Sequence, residues 1–183
     1  MERYDAVIIG GGLTGAATAY HLVKAGASVL LVEKSDLNRG ASGRNAGSLH
    51  FQLEHRLIEH GDDLLEEFAR IIPLNKLAME DWTRLESELG ADLEVTMNGG
   101  LMLAETAAEL ELIEQKNWFE AKWGIDSELL SAAQVRRIAP YLSHSVEAAA
   151  FLKTEGHANP RLVTPAFIKA ALLDGLKIQQ KTD

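Results

Sequence analysis

The first 33 residues carry the pattern that most constrains the fold of this chain. An apolar run at residues 6–9 leads into the glycine-rich segment 10–15, and a helical pattern follows. A second apolar run, 29–32, ends at Glu33. Strand, glycine turn, helix, strand and acid, in this order, are typical of a dinucleotide-binding βαβ unit. The sequence therefore predicts two parallel strands joined by a helix that begins at or just after Gly12.

Each part of the glycine turn has a physical role in such a unit. Gly10 permits the tight turn, Gly12 lets the backbone approach a pyrophosphate, and Gly15 lets the helix pack closely on the strands. The first N–H groups of the helix, around Leu13 and Thr14, have no acceptor within the helix and lie at the positive end of its dipole. These groups are predicted to bind phosphate.

Glu33 is predicted to bind a ribose. It comes 18 residues after Gly15, close to the spacing expected for an acid that accepts from the ribose 2′-hydroxyl. A carboxylate at this position repels the additional phosphate of NADP, so NADP is disfavoured. The residues alone do not separate NAD from FAD. A glycine turn that binds no nucleotide is the alternative, and the agreement of the flanking elements disfavours it.

The composition excludes several classes of function. A length of 183 residues suggests one domain or one and a fraction. The net charge of −9 disfavours nucleic acids and anionic membranes as general partners. With no cysteine, the chain has no disulfide and no thiol chemistry, which fits a cytoplasmic location. Glycines and charges interrupt the N-terminal apolar run, so no transmembrane segment is predicted, while peripheral membrane association stays open.

The middle of the chain alternates between loops, helices and a strand. Residues 34–48 contain too many glycines for a helix interior, and a loop with anion-binding amides is predicted there. Apolar residues at helical spacing cover 57–72, and a second helix is predicted to end at Gly90. Residues 92–104 are predicted to form a strand or a hairpin.

Later helices are marked by capping residues at their starts. These are Thr106 with Glu109, Ser131 with Gln134, and Asn159 before Pro160. Pro165 is expected to kink or restart the last helix. Residues 146–152 and 176–180 are predicted strands. A parallel sheet built only from the strands near residues 6, 29 and 176 is small for a doubly wound fold, so the chain is predicted to be an incomplete molecule.

Several segments together resemble a known family. They are the opening 4–12, the Ala-Ser-Gly-Arg-Asn-Ala-Gly segment 41–47, Gly-Gly-Leu-Met-Leu-Ala at 99–104 and Glu-Gly-His-Ala-Asn-Pro at 155–160. With these the chain resembles the D-amino-acid oxidase family of FAD-dependent oxidoreductases, which includes glycine oxidase, sarcosine oxidase and D-amino-acid dehydrogenases. Segment 42–47 most resembles the opine oxidase, hydroxyproline dehydrogenase and hydrogen cyanide synthase branch. The resemblance covers nearly all of the chain but only the N-terminal portion of a family member.

The resemblance implies a fold and a reaction. The fold is α/β: a Rossmann-like FAD-binding domain with a parallel sheet, followed by the beginning of an α+β substrate domain. Residues 1–75 and 153–183 would belong to the FAD-binding domain and 76–152 to the substrate domain. The reaction is the oxidation of an amine or amino acid, with hydride transfer from the amine-bearing carbon to flavin.

The resemblance also implies where FAD binds. The glycine turn would hold the pyrophosphate, and Glu33, with Lys34 beside it, the adenosine ribose. The residues expected to face the pyrophosphate, the ribityl chain or the flavin ring are Ser42, Arg44, Asn45, Ala46 and Gly47. In this family the groups that bind the substrate carboxylate lie largely in the later part of the protein. No catalytic residue is therefore assigned to this chain.

Two other functions compete with this prediction. The chain could be a non-catalytic FAD-binding fragment or subunit that needs a companion polypeptide. It could also be an NAD-dependent dehydrogenase, which the loop 44–47 disfavours. His50 follows this loop and is either close to flavin or simply a polar loop residue. A metal site made by His50, His55 and His60 is disfavoured, because a spacing of five does not place two ligands on one helical face.

Overall fold

The computed structural model describes residues 2–54, 67 and 69–182. Residues 55–66 lie outside the described residues. They include His55, His60 and most of the helix predicted to start at Leu57. Contacts divide the chain into two compact units. The first comprises 1–48, 84–96 and 157–183, and the second comprises 49–83 and 97–156. These boundaries differ from the predicted ones at 75 and 153, and the assignment of the units to FAD and substrate stays a prediction.

The described residues form short strands and five α-helices. In chain order they are β1 (Ala6–Ile9), α1 (Leu13–Lys24), β2 (Val29–Glu33), β3 (Ser48–Leu49), α2 (Ile72–Leu89), β4 (Gly100–Ala104), α3 (Ala107–Lys122), β5 (Glu128–Ser131), α4 (Ala132–Ile138), β6 (Ala148–Leu152), β7 (Gly156–His157), α5 (Pro160–Leu173) and β8 (Lys177–Gln180). A 3₁₀ turn covers Ala41–Gly43.

The first unit contains the predicted βαβ motif. Strands β1 and β2 are parallel, with Val7 opposite Leu30, and β8 joins them in the order β1–β2–β8. Helix α1 begins directly after Gly12, as predicted. These elements confirm the α/β class and the parallel sheet.

Helix α1 packs against α5 through small and aromatic side chains. Ala16 and Ala19 are fully buried, and the Tyr20 ring meets the Phe167 ring edge-on at a centroid distance of 5.6 Å. The expected restart at Pro165 is wrong, because α5 continues without a break through this residue. Buried side chains on both sides of the proline keep the helix in one piece despite the missing N–H.

Strand β1 exposes apolar side chains on one face of the parallel sheet of the first unit. Val29 and Leu31 are buried, whereas Val7 is 57% exposed and Ile9 is 89% exposed. Parallel sheets are ordinarily covered on both faces. The apolar side chains of β1 therefore form an accessible surface beside the glycine turn.

The second unit is built on an antiparallel sheet in the order β4–β6–β5. Adjacent residues of β6 face opposite cores: Ala149 packs with Leu130 and Val135, and Ala150 packs with Ile113 of α3. The sequence missed β5, whose four residues carry no clear alternation. The capping pairs open α3 and α4 where they were predicted.

Of the strand or hairpin predicted within 92–104, the structure contains the strand, Gly100–Ala104, and this strand does not pair within the segment. Strand β4 pairs with β6 instead, with Leu101 opposite Phe151. Because Gly99 and Gly100 have no side chain, side chains from β6 and from the segment after it can lie close to their backbone. A Cβ at Gly99 would lie 2.2 Å from the Phe151 ring, and a Cβ at Gly100 would lie 2.0 Å from Oε2 of Glu155.

Candidate functional site

The glycine turn follows β1 and leads into α1. Gly10 has φ +107°, a conformation that disfavours other residues, and a Cβ built on it meets no atom within 4 Å. A Cβ on Gly15 would lie 2.0 Å from the carbonyl oxygen of Gly10, so the helix packs directly on the turn. The tight turn and the close helix packing are both as predicted.

Ser42 of the 3₁₀ turn lies against the start of α1. Its Oγ accepts a hydrogen bond from the Leu13 N–H at 3.0 Å. A Cβ on Gly12 would lie 2.8 Å from this Oγ, so the absence of a side chain at Gly12 lets Ser42 approach. The next two N–H groups, of Thr14 and Gly15, have no acceptor within the helix, since the first helical bond runs from Ala16 to Gly12. The start of α1 therefore keeps donors for an anion.

Glu33 ends β2 and reaches back to the glycine turn. Its Oε2 accepts from the Gly11 N–H at 2.7 Å, and its Oε1 accepts from the N–H of Ser35 at 2.8 Å. The Gly11 bond, followed by the Ser35 bond, holds the pKa of the Glu33 carboxyl below its ordinary value. The carboxylate stays ionised near neutral pH and keeps lone pairs that can accept from hydroxyl groups.

An open pocket of about 610 Å³ adjoins this carboxylate. Its lining consists of Val7, Ile9, Gly10, Val32, Glu33, Lys34 and Thr182. Thr182 was missed by the sequence analysis. It lies two residues after the end of β8, and the parallel pairing of β8 with β2 brings it to the same sheet edge as Glu33, whose carbonyl accepts from the Thr182 N–H at 3.3 Å. The rule that ligands bind at the carboxyl ends of parallel strands could have found it.

The loop around residues 41–47 is shaped by its own hydrogen bonds. The Asn45 side-chain amide donates to the carbonyl of Ala41, and its oxygen accepts from the Gly47 N–H at 2.8 Å. Gly47 has φ +76°, and a Cβ there would lie 2.0 Å from the carbonyl oxygen of Ala158. Arg44 and Ala46 are exposed. The loop thus presents a cation at the surface of the first unit.

The first unit brings most of the predicted site residues to the carboxyl edge of its sheet. The glycine turn, the start of α1, Glu33, Lys34 and Ser42 meet there through the contacts described above. The arrangement combines helix N–H donors, a carboxylate and an open apolar floor. It can hold a phosphate, a ribose and a flat apolar ring side by side.

The second unit contains a buried polar cluster that the sequence analysis missed. Lys116 and Glu120, one helical turn apart in α3, are both fully buried, and Lys116 Nζ lies 2.7 Å from Glu120 Oε2. Lys116 also donates to Oε1 of Gln52 at 2.9 Å. Burial lowers the pKa of Lys116, and the Glu120 carboxylate opposes that effect. Glu155, 2% exposed, accepts from the Gln52 side chain at 2.9 Å.

The described residues contain neither a cluster of metal ligands nor a membrane-spanning helix. Among residues 2–54, 67 and 69–182, no group of three or more His, Asp or Glu side chains is placed to hold a metal ion. Over the same part of the chain, no helix has the length and apolar character needed to cross a membrane.

The fold and the site define an α/β protein of the dinucleotide-binding class. The family of FAD-dependent oxidoreductases called DAO matches residues 5–183, and the chain belongs to that family. The predicted family and the predicted cofactor, FAD, are thereby confirmed. The match also favours FAD over NAD.

The chain is similar to several amine and amino-acid oxidases. It is 29% identical to glycine oxidase of Bacillus licheniformis, over 99% of this chain and 46% of that protein. It is 30% identical to sarcosine oxidase subunit beta of Rhizobium meliloti, over 76% of this chain and 31% of that subunit. A crystal structure of glycine oxidase from Geobacillus kaustophilus superposes with a TM-score of 0.86, at 24% identity, over all of this chain and 48% of that one. The chain thus spans less than half the length of these relatives.

Proposed function

We propose that this chain is the FAD-binding N-terminal portion of a longer enzyme that oxidises an amine or an amino acid. The observation that carries the proposal is the edge of the parallel sheet, where the open glycine turn, the start of α1 and the Glu33 carboxylate meet beside a pocket of about 610 Å³. Membership of the family and the similarity to amine-oxidising relatives support the substrate class.

The residues of the first unit fit the parts of FAD. The N–H groups of Thr14 and Gly15 and the open space over Gly10 suit the pyrophosphate. Glu33 suits the adenosine ribose, with Lys34 and Thr182 lining the pocket beside it. The apolar floor of Val7 and Ile9 offers a flat surface. The loop with Ser42, Arg44, Asn45, Ala46 and Gly47 would face the pyrophosphate, the ribityl chain or the ring.

The chemistry would be divided between the cofactor and the protein. Bound FAD would accept the hydride from the carbon that carries the amine. The chain's own groups would bind and orient: N–H donors neutralise phosphate charge, Glu33 fixes the ribose, and the Arg44 cation favours an electron-rich ring. The imine product would hydrolyse to an oxo acid and an amine or ammonia.

A companion polypeptide, or a continuation of the same chain, would supply the remaining parts. The uncovered apolar face of β1 supports this, because Ile9 is 89% exposed on a sheet of a kind ordinarily covered on both sides. Sarcosine oxidase subunit beta, one of the relatives, is by name one subunit of an assembly. We expect the isolated 183-residue chain to bind FAD weakly and to oxidise no substrate.

The experiment compares the complete protein with the isolated chain. The complete protein is denatured and the released cofactor identified, and anaerobic bleaching of the flavin absorbance is followed with glycine, sarcosine, hydroxyproline and D-amino acids. FAD release and bleaching by at least one amine are expected, with neither activity nor tight flavin retention in the isolated chain. Release of NAD, or of no cofactor, would contradict the proposed cofactor site. FAD without bleaching by any amine would favour the non-catalytic FAD-binding subunit.

A further inference from the structure

Asn38 begins the cofactor loop, residues 38–47, and joins this loop to two other segments of the first unit. Its N–H donates to the carbonyl of Gly11 in the glycine turn at 3.0 Å. Its side-chain Nδ2 donates to the carbonyl of Pro160, the first residue of α5, also at 3.0 Å. A Cβ on Gly43 would lie 2.1 Å from the Asn38 carbonyl oxygen, so the 3₁₀ turn packs directly on Asn38. The function proposed above gives Asn38 no role.

The other end of the cofactor loop is held by the same part of the chain. The Ala158 N–H donates to the carbonyl of Gly47 at 2.9 Å. A Cβ on Gly47 would lie 2.0 Å from the Ala158 carbonyl oxygen and 3.0 Å from Cδ of Pro160, so the two segments are in close contact as well as hydrogen-bonded. Residues 158–160, at the start of α5, therefore hold the loop at both of its ends.

The backbone and the side chain of Asn38 each carry a cost that glycine would avoid. Asn38 has φ +60°, in the left-handed region that glycine adopts most easily. Its Oδ1 is buried and has no hydrogen-bond partner in the part of the chain that the structure describes, and a buried acceptor without a partner is destabilising. What asparagine provides at this position, and glycine does not, is the bond from Nδ2 to Pro160. The side chain therefore serves the attachment of the loop to α5.

The position of this loop matters for binding, because several of the residues assigned to FAD lie within it. Ser42 reaches the start of α1, where its Oγ accepts from the Leu13 N–H at 3.0 Å, and Arg44 is exposed two residues later. Holding a loop at both ends restricts the residues between them. A loop that is already ordered loses less conformational entropy when a ligand binds, so the ligand binds more tightly.

We propose that Asn38 is a positioning residue of the cofactor site. Its side-chain amide holds the cofactor loop on the start of α5, and its N–H holds the same loop on the glycine turn, so that Ser42 and Arg44 are in place before FAD binds. Asn38 acts through the loop, because its amide is directed at Pro160 and its N–H at Gly11. This inference rests on the proposed FAD site and is independent of the substrate.

The first test measures the affinity of the complete apoprotein for FAD by fluorescence titration. Asn38→Gly keeps the left-handed backbone and removes the Nδ2 bond, and it should weaken FAD binding by about 5-fold, the scale of one lost hydrogen bond. Asn38→Asp places a carboxylate oxygen opposite the Pro160 carbonyl, and it should weaken binding further, by about 30-fold. The control is Asn98→Gly, the same change at an exposed asparagine of the second unit, which should bind FAD as the wild type does.

The second test needs neither cofactor nor turnover. Amide hydrogen exchange of the complete apoprotein is followed by mass spectrometry in a peptide that contains residues 38–47 and in one that contains β1. We expect Asn38→Gly to speed exchange in the loop peptide and to leave the β1 peptide unchanged, because the variant frees the loop without loosening the sheet. Saturation with FAD should slow the exchange of the loop again. Glycine adopts the backbone conformation of Asn38 readily, so this variant remains informative even if Asn38→Asp fails to fold.

The outcomes separate this inference from the proposed function. Equal FAD affinities for Asn38→Gly and Asn98→Gly, in a protein whose wild type binds FAD, would overturn the role of Asn38 alone. Faster exchange in both peptides would also overturn it, since Asn38 would then support the stability of the whole unit and not the position of the loop. A wild-type protein that binds no FAD would refute the proposed cofactor site and this inference with it.

Discussion

The glycine turn of the first unit and the buried cluster of the second both use a glutamate to bind backbone N–H groups. Glu33 accepts from the Gly11 N–H at the open edge of a sheet, where a pocket adjoins it. Glu155 accepts from the Phe51 and Gln52 N–H groups in the interior, at 2% exposure. The first arrangement leaves its carboxylate available to a ligand. The second uses its carboxylate to fix the chain.

Burial makes the two glutamates depend on their neighbours to different degrees. Glu33 is only partly buried, so water also stabilises its charge. Its hydrogen bonds are therefore sufficient to lower the pKa of its carboxyl group. In the interior of the second unit, charge is instead balanced by Lys116, which pairs with Glu120 at 2.7 Å and whose pKa the Glu155 carboxylate also acts to raise. Removing one member of a buried pair leaves an uncompensated charge, whereas removing an exposed one does not.

The largest expected effect comes from Lys116→Met. The variant leaves Glu120 buried without its cation, and the loss of one partner of a buried pair costs about 3–5 kcal/mol of the free energy of unfolding. Denaturant titration measures the change. Lys153→Met, at an exposed position of the same unit, is the control and should stay within about 0.5 kcal/mol of the wild type. Equal stabilities for the two variants would show that the Lys116–Glu120 pair contributes nothing.

The second effect is the overpacking of the glycine turn by Gly15→Ala. The new methyl group would lie 2.0 Å from the Gly10 carbonyl oxygen, and backbone cannot move away as a flexible side chain can. We expect a loss of about 1–3 kcal/mol in the free energy of unfolding, together with weaker FAD retention. Gly40→Ala is the matched control, since a Cβ there meets no atom within 4 Å. A Gly15→Ala variant as stable as Gly40→Ala would contradict the close packing.

The residues changed in Gly15→Ala and Lys116→Met also differ in how far the sequence could predict their roles. Gly10, Gly12, Gly15 and Glu33 lie within one supersecondary motif, so local spacing was sufficient to place them. Lys116 and Glu120 show only the helical spacing common on solvated helix faces. Their burial depends on Gln52, more than 60 residues away in the chain. No local pattern records such a contact.

The antiparallel sheet was only partly predictable for the same reason. Gly99 and Gly100 carry the usual signal for a hairpin turn, yet here they make room for Phe151 and Glu155. Sequence patterns identify a glycine, but only the distant neighbour decides whether it serves a turn or a close approach. Thr182 was missed likewise, because its place beside Glu33 follows from the pairing of β8 with β2.

The third effect concerns the binding of FAD. Glu33→Ala should weaken FAD binding in the complete protein by about 1–3 kcal/mol, the range for losing a hydrogen bond to a charged group. Glu33→Lys should bind no better. Flavin retention measured by equilibrium dialysis checks this, with Asp36→Ala as the control for loss of a nearby exposed charge. Unchanged retention in both Glu33 variants would show that Glu33 is not a ribose ligand.

Low pH should lower the stability of the folded chain through the same Glu33 carboxyl group. The pKa of Glu33 is lowered in the folded chain, so its contribution to stability is present above its ordinary pKa and disappears as the pH falls through the lowered one. Stability of the wild type should therefore fall more on acidification than that of Glu33→Gln. Parallel acid profiles for the two proteins would contradict the contribution of the Gly11 bond.

The smallest expected effect tests what made a feature predictable from the sequence. The feature could be predictable because it lies in the first unit, or because its contacts are local in the chain. Thr106 lies in the second unit, yet its role was predicted from sequence, because its partner Glu109 is three residues away. Thr106 Oγ1 accepts from the Glu109 N–H at 3.2 Å, whereas the Ser131 hydroxyl donates to Gln134 Oε1 at 2.6 Å. Of these two hydroxyls, that of Thr106 accepts from an N–H at the start of its helix, whereas that of Ser131 acts as a donor. Thr106→Ala should cost about 1 kcal/mol of the free energy of unfolding, and Ser131→Ala should cost less. A larger loss of stability in Ser131→Ala than in Thr106→Ala would contradict the expectation that hydrogen-bond geometry determines the contribution of each cap.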